Sequence, residues 1–285
     1  FGTMVTILLT WAFQASGIGF GPLPTALLAL PFGIAATAAF ALLTDRVVYR
    51  FYRRQKASST IVVIVSLGVM FVMNGIVRLV IGVDEQNFTD GARFVINPQD
   101  FKAWSGLAEP LAIKTTQAVT VIAALVVMAL LFWFLQKTRT GKSMRAFSDN
   151  EDLALLSGIN PDRVVAVTWI IAAGIATIAG VLYGLDKSFK PFTYYQLLLP
   201  IFAAAIVGGL GSPLGAIAGG FVIAFSEVMV TNAWKKIATY LLPESMAPDS
   251  LLQLVSTDYK FSVSFTILII VLLFMPTGLF KGKSL

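Results

Sequence analysis

The sequence contains no cysteine and no histidine. The first absence removes disulfides, a thiolate nucleophile and any cysteine-based metal site. The second removes the commonest general base and metal ligand. Charge is scarce as well: 13% of the residues are charged, against ~25% in an average soluble domain. So few charges cannot cover the water-facing surface of a chain of 285 residues. What fills the sequence instead is apolar, 57% of it. That excludes a disordered chain and sets a low prior on enzyme chemistry. The composition is that of a membrane protein.

A helical span needs about 20 mostly apolar residues. Thr3 to Ala15 falls short of that and reads as a partial span. Full candidates follow at Leu23 to Leu43, Thr60 to Gly82, Thr115 to Gln136, Val164 to Leu185, Phe192 to Gly209, Leu214 to Thr231 and Phe261 to Phe280. The expected fold is an all-α polytopic membrane protein of about eight transmembrane helices, the first one partial. It is read as a single transmembrane domain over residues 1–285. The chain opens on Phe1 inside a helical pattern, without the charged start and cleavage site of a signal peptide. The expectation is that an N-terminal part of a longer protein is missing.

Orientation follows from the distribution of Lys and Arg, which favours the cytoplasmic side. If Asp45 to Ser59 is cytoplasmic, the inner loops hold Arg46, Arg50, Arg53, Arg54, Lys56, Lys137, Arg139, Lys142, Arg145, Arg163, Lys281 and Lys283. Only Asp45, Asp149, Glu151, Asp152 and Asp162 oppose them, whereas the outer segments are nearly balanced. The reverse topology would put the basic clusters outside. Val83 to Lys114 and Asn232 to Lys260 therefore face outward. The net charge of +6 is explained by basic loops against anionic lipid. Nucleic-acid binding is the weaker reading, because the cations flank spans and do not line one folded face.

The cytoplasmic segment 137–163 is too long for a tight turn and too polar for a span. Arg145 to Ser157 has helical spacing, with Asp149, Glu151 and Asp152 toward its start, where the helix dipole favours anions. Gly158 supplies a stop, and Asn160-Pro161 breaks the chain before the next span. A short amphipathic helix is expected here. Its acidic polar face suits a protein partner better than a lipid surface. Glycines form a second signal: Gly208, Gly209 and Gly211 join two spans, and Gly215 and Gly219 continue as a small-residue face. No nucleotide loop is present. Gly141-Lys142-Ser143 has Gln136, and Gly282-Lys283-Ser284 has Thr277, where a phosphate loop requires its first glycine. Arg78 and Glu227 fall within spans near their outer ends, and Asn74 lies one turn below Arg78. Such intramembrane polar groups tend to face a bundle interior or an aqueous path, so these three are candidate pathway residues. Glu227 is expected to be buried against another helix, with Arg78 or a backbone amide as a partner.

Three ordered motifs resemble the LivH/LivM permeases of branched-chain amino acid ABC importers, the LivH type more closely. They are Arg145-Ala146 followed by Leu153-Ala154-Leu155-Leu156-Ser157-Gly158-Ile159-Asn160; Gly208-Gly209-Leu210-Gly211-Ser212 followed by Gly215, Gly219-Gly220 and Glu227; and Pro276-Thr277-Gly278-Leu279-Phe280. The resemblance runs from about Thr60 onward. It implies a multi-pass bacterial inner-membrane permease subunit. No cofactor would sit in this chain, and ATP and magnesium would be held by separate cytoplasmic ATPase subunits. Further implied partners are a second, LivM-like permease and an extracytoplasmic binding protein. The ATPase-coupling residues would be Arg145, Phe147, Asp149, Asn150, Leu153, Ala154, Leu156, Gly158 and Asn160. The final Pro-Thr-Gly lacks the basic residue that often precedes it, having Met275, and Ala224 stands where glycine is common. The residues by themselves leave an ion-gradient-driven secondary transporter of small polar solutes as the alternative.

Overall fold

A computed structural model describes residues 1–97, 101, 103–104, 113–231, 256, 259–275 and 278–280. Most of the expected outer segment 232–260, the tail with Lys281 and Lys283, and Pro276-Thr277 lie outside the described residues. The chain gathers into two compact units, residues 1–191 and 192–285.

The first unit begins with α1 (Gly2–Ala15) and α2 (Ala26–Thr44). A five-residue π-helix, Asp45–Tyr49, continues α2 directly into α3 (Arg50–Arg54). The outcome is one continuous helical run of 29 residues, Ala26–Arg54, longer than the Leu23–Leu43 span expected. Helix α4 (Ser59–Ile81) follows. Beyond it, β1 (Phe94–Ile96) pairs antiparallel with β2 (Ile113–Lys114), Phe94 opposite Lys114. This small ribbon was not foreseen. Helices α5 (Thr115–Lys137), α6 (Arg139–Asp149), α7 (Glu151–Leu156) and α8 (Pro161–Lys187) complete the unit.

Helices α1, α2 and α8 pack against one another through small residues and threonines. A β-carbon on Gly33 would collide with the Thr6 hydroxyl, and one on Gly2 would collide with Thr177 and Thr37. Without a hydrophobic drive between helices in lipid, such close approach supplies the packing. The threonine hydroxyls stay satisfied within their own helices: Thr6 donates to the Gly2 carbonyl at 2.9 Å and Thr10 to the Thr6 carbonyl at 2.7 Å. Helix α4 is different. It buries only Val77 and Ile81, so its apolar residues Ile64, Leu67, Phe71 and Val72 remain exposed.

The two ends of this unit match the alternation expected from charge. At one end the 82–97 loop meets the end of α8: Gln86 and Phe189 exchange backbone hydrogen bonds at 2.8 Å, and Thr89 donates to the Leu185 carbonyl at 3.0 Å. The same loop reaches the α1–α2 connection, where Ala92 donates to the Pro22 carbonyl at 2.9 Å. Asp90 accepts from the Thr25 amide at 2.7 Å and from Gln14 at 3.0 Å. At the opposite end Arg50 pairs with Asp162 at 3.1 Å. The expected outer and inner loops of this unit are therefore sorted to separate ends.

The second unit holds α9 (Pro191–Gln196), α10 (Leu198–Gly208), α11 (Pro213–Thr231) and α12 (Lys260–Phe274). The span expected over Phe192 to Gly209 is interrupted at Leu197, because Pro200 has no N–H to give the carbonyl four residues back. The last span ends at Phe274, not Phe280. Met275 leaves helical geometry, with φ −140° and ψ 70°, as a residue before proline tends to do. The core is Ala203, Val207 and Ile223, with Ile267, Leu268 and Val271 of α12 packed on it.

Among the described residues, six helices are long and apolar enough to cross a membrane, and Gly2–Ala15 and Lys260–Phe274 are shorter apolar helices. The all-α polytopic expectation holds. The span count differs at the last helix, which is 15 residues and not a full span.

Candidate functional site

The cytoplasmic segment is not the single helix expected over Arg145 to Ser157. It is two helices, α6 and α7, that meet at Asn150. Asn150 has φ −156° and ψ 108°, an extended conformation that no helix contains. Its side chain accepts from the Leu153 amide at 2.9 Å and so caps α7. The single helix expected across Asn150 is thus replaced by a break between two helices. Asparagine wins here because its side chain satisfies an amide left free at a helix start.

Each end of the pair is fixed by its own device. Thr138 caps α6 by accepting from the Gly141 amide at 3.0 Å. Gly141 sits so close to α5 that a β-carbon would collide with the Phe134 carbonyl and the Leu135 backbone. At the far end Gly158 takes φ +79°. Its amide donates to the Leu155 carbonyl at 3.0 Å, and that of Ile159 to Ala154 at 3.1 Å. These bonds satisfy carbonyls that the helix end leaves open. Asn160 then caps α8, accepting from the Arg163 amide at 3.2 Å ahead of Pro161. Gly158 and Asn160 are therefore shaping residues, as the sequence suggested for a stop and a break.

Exposure divides the remaining residues. Ala154 is buried at 4%, whereas Leu153 is 62% and Leu156 86% exposed. Ala154 packs against its own chain, whereas Leu153, Leu155 and Leu156 face away. Phe147 is half-buried, and Arg145 and Asp149 are exposed. Glu151 and Asp152 lie in the first turn of α7, the end at which a helix dipole favours anions.

The three intramembrane polar residues are placed as follows. Arg78 is exposed in the last turn of α4. Asn74, one turn away, is half-buried, and its side-chain oxygen is enclosed with no hydrogen-bond partner among the described residues. Glu227 on α11 is half-buried and accepts a hydrogen bond from the hydroxyl of Ser264 on α12. Its partner is thus a hydroxyl, not the cation or amide expected. Ser264 is fully buried; a serine two residues from another, Ser262, in an apolar helix gave no signal of this.

The glycines act through close backbone approach. Gly208 and Gly215 face each other, and a β-carbon on Gly219 would collide with the Ala204 carbonyl. Gly209 and Gly211 adopt φ +105° and +89° in the connecting turn. The Gly278 turn then returns to the same place: Leu279 donates to the Val207 carbonyl at 2.8 Å and Phe280 to Gly208 at 3.1 Å. Two motifs separated in sequence form one knot at the end of α10.

A groove of about 590 Å³ runs between α5 and α8, walled by Val121, Ala124, Met128, Ile175, Ile178 and Leu182. Gln117, Asp186 and Lys187 stand at its polar end, and Asn74 and Arg78 are not among its walls. Among the described residues there is no cluster of acidic side chains able to hold a metal ion.

Comparison with known proteins decides what this arrangement belongs to. Residues 1–272 match the family described as the permease component of the branched-chain amino acid transport system. The chain belongs to this family. It is 33% identical to the high-affinity branched-chain amino acid transport system permease LivH of Escherichia coli K12, over 98% of this chain and 81% of that protein. It is 27% identical to the permease BraD of Pseudomonas aeruginosa, over 86% and 71%. The ribose import permease RbsC of Escherichia coli K12 is a more distant relative, at 26% over 76% and 64%. No solved structure matches. Family membership and six membrane-length helices make this permease component a multi-pass inner-membrane protein, and its relatives are transport components.

Proposed function

We propose that this chain is a membrane-spanning permease subunit of a binding-protein-dependent ABC importer, and that the importer carries branched-chain or related amino acids. ATP and magnesium are held by separate cytoplasmic ATPase subunits; the near-matches to a phosphate loop at Gly141 and Gly282 lack its first glycine. An extracytoplasmic binding protein delivers substrate, and a second, LivM-like permease completes the pathway.

The observation that carries this reading is α7: a capped, acidic-tipped helix with Leu153 and Leu156 turned away from the chain that supports it. Exposed leucines on a rigid cytoplasmic footing suit a partner's groove. Ala154 and Gly141 supply the footing, because both sit against this chain's own backbone and side chains. Closure of the ATPase subunits then moves α7, and α6 and α8 carry the motion into the spans. ATP shifts the equilibrium only through contacts that differ between the outward and inward states. Family membership does not favour the secondary-transporter reading.

Co-purification tests this. The chain, expressed with its neighbouring transport proteins in its native membrane, retains an ATPase subunit in mild detergent. Leu153→Asp with Leu156→Asp inserts normally and loses that subunit. Retention of the ATPase by the double variant, with wild-type uptake, contradicts the reading.

A further inference from the structure

Asp45, Arg53, Arg50, Asp162, Trp169, Tyr49 and Ser66 form a cluster at the cytoplasmic end of the first unit. Asp45 opens the π-helix and is 9% exposed. It accepts two hydrogen bonds from Arg53, at 2.8 and 3.2 Å, and a third from the Trp169 indole N–H at 3.0 Å. Arg53 also stands 3.8 Å from Asp162, and Arg50 reaches that carboxylate at 3.1 Å. The Tyr49 ring lies against Trp169 with centroids 5.2 Å apart. Its hydroxyl donates to Ser66 of α4 at 3.1 Å.

The position of this cluster matters more than its size. Asp162 is in the first turn of α8, directly after the Asn160 cap that ends the cytoplasmic pair. Trp169 lies two turns further along the same helix. Any displacement of α7 that tilts the start of α8 therefore pulls on Arg50 and Arg53. Those residues end the run that begins as α2, and the Tyr49–Ser66 bond passes the displacement to α4. Helix α4 has little other hold on this unit, burying only Val77 and Ile81. The π-turn Asp45–Tyr49 lies at the centre of the clasp, carrying both Asp45 and Tyr49. Such turns occur frequently at functional sites.

We propose that this clasp is the positioning element that couples the cytoplasmic helices to α2 and α4, with Asp45 as its hub. The proposal rests on the importer reading above. It assigns no contact with substrate or nucleotide to any of these residues. Buried and partly buried charge pairs of this kind hold one discrete arrangement, since separating them leaves a charge uncompensated.

The test uses the complete importer, reconstituted with its ATPase subunits and binding protein in vesicles, and reads substrate accumulated per ATP hydrolysed. The Arg50–Asp162 pair is partly exposed, so it tolerates exchange. Arg50→Asp and Asp162→Arg, made singly, keep ATPase association and basal hydrolysis but lower the ratio about tenfold, within the range of typical coupling energies. The double exchange restores most of it. Asp45→Asn lowers the ratio without rescue by either exchange. Single variants with intact complexes and a wild-type ratio overturn the proposal. So does a fall in melting temperature and complex yield at constant ratio, which marks a purely structural clasp. Failure of the unaltered chain to bind any ATPase overturns the importer reading instead.

Discussion

Gly208 and Gly215 stand so close across α10 and α11 that a β-carbon on either would overlap the other's carbonyl oxygen. The two helices therefore cross backbone to backbone. Neither glycine can be replaced without separating them, and overpacking of this kind typically costs ~1–3 kcal/mol or more. Gly208→Ala and Gly215→Ala should each lower the melting temperature and yield of the purified protein. Gly220→Ala is the control, because nothing lies within 4 Å of that position, and it should be neutral.

Glu227 should be sensitive to its shape and to Ser264. Glu227→Gln keeps an acceptor for the serine hydroxyl, whereas Glu227→Ala leaves the buried hydroxyl unmatched, at ~1–3 kcal/mol. The alanine variant should therefore lose more stability than the glutamine variant. Ser264→Ala in the Glu227→Ala background should add little further loss. Thermal unfolding in detergent of wild type, Glu227→Ala, Ser264→Ala and the double variant reads this out; additive losses would show that the two residues do not act as a pair.

Asp90 supplies a pH dependence. Burial raises its pKa, but hydrogen bonds from Thr25 and Gln14 outweigh that and hold its carboxyl below the usual carboxylate range. A depressed folded-state pKa contributes stability above the unfolded value, ~3.9, and loses it as pH falls through the folded value. Wild type should thus exceed Asp90→Asn in melting temperature at neutral pH, and the gap should close on acidification below about pH 4. A gap that persists at low pH would assign the effect to geometry and not to charge.

Much of the fold was legible because membrane spans announce themselves by length and hydropathy. Where the sequence reading failed, a local interaction overrode the periodic pattern. The helix expected over Arg145 to Ser157 was split by Asn150, whose side chain does more good as a cap than on a helix face. The last span stopped at Phe274 because the residue before a proline turns away from helix. The three intramembrane polar residues stood out by type. Their surroundings did not: Ser264 as the partner of Glu227, and the closed-in oxygen of Asn74, depend on which helices meet. The Asp45–Trp169 contact joins residues far apart in sequence through a π-turn that no periodicity reveals.

The orientation is checked by accessibility. The native chain has no cysteine, so single cysteines report cleanly. Asn150→Cys should react with an impermeant thiol reagent only after the cells are opened, and Asn87→Cys should react from outside. The reverse pattern would invert the topology and remove the cytoplasmic role of α7.

The central claim is that this chain moves substrate by energy received at α7. Its most direct test is accumulation of a branched-chain amino acid in vesicles holding the chain with a second permease, ATPase subunits and binding protein. Accumulation should require ATP on the ATPase side and binding protein on the other. Leu153→Asp with Leu156→Asp should abolish accumulation while the permease remains folded. Accumulation driven by a proton or sodium gradient without ATPase subunits, and unchanged by that double substitution, would contradict this claim.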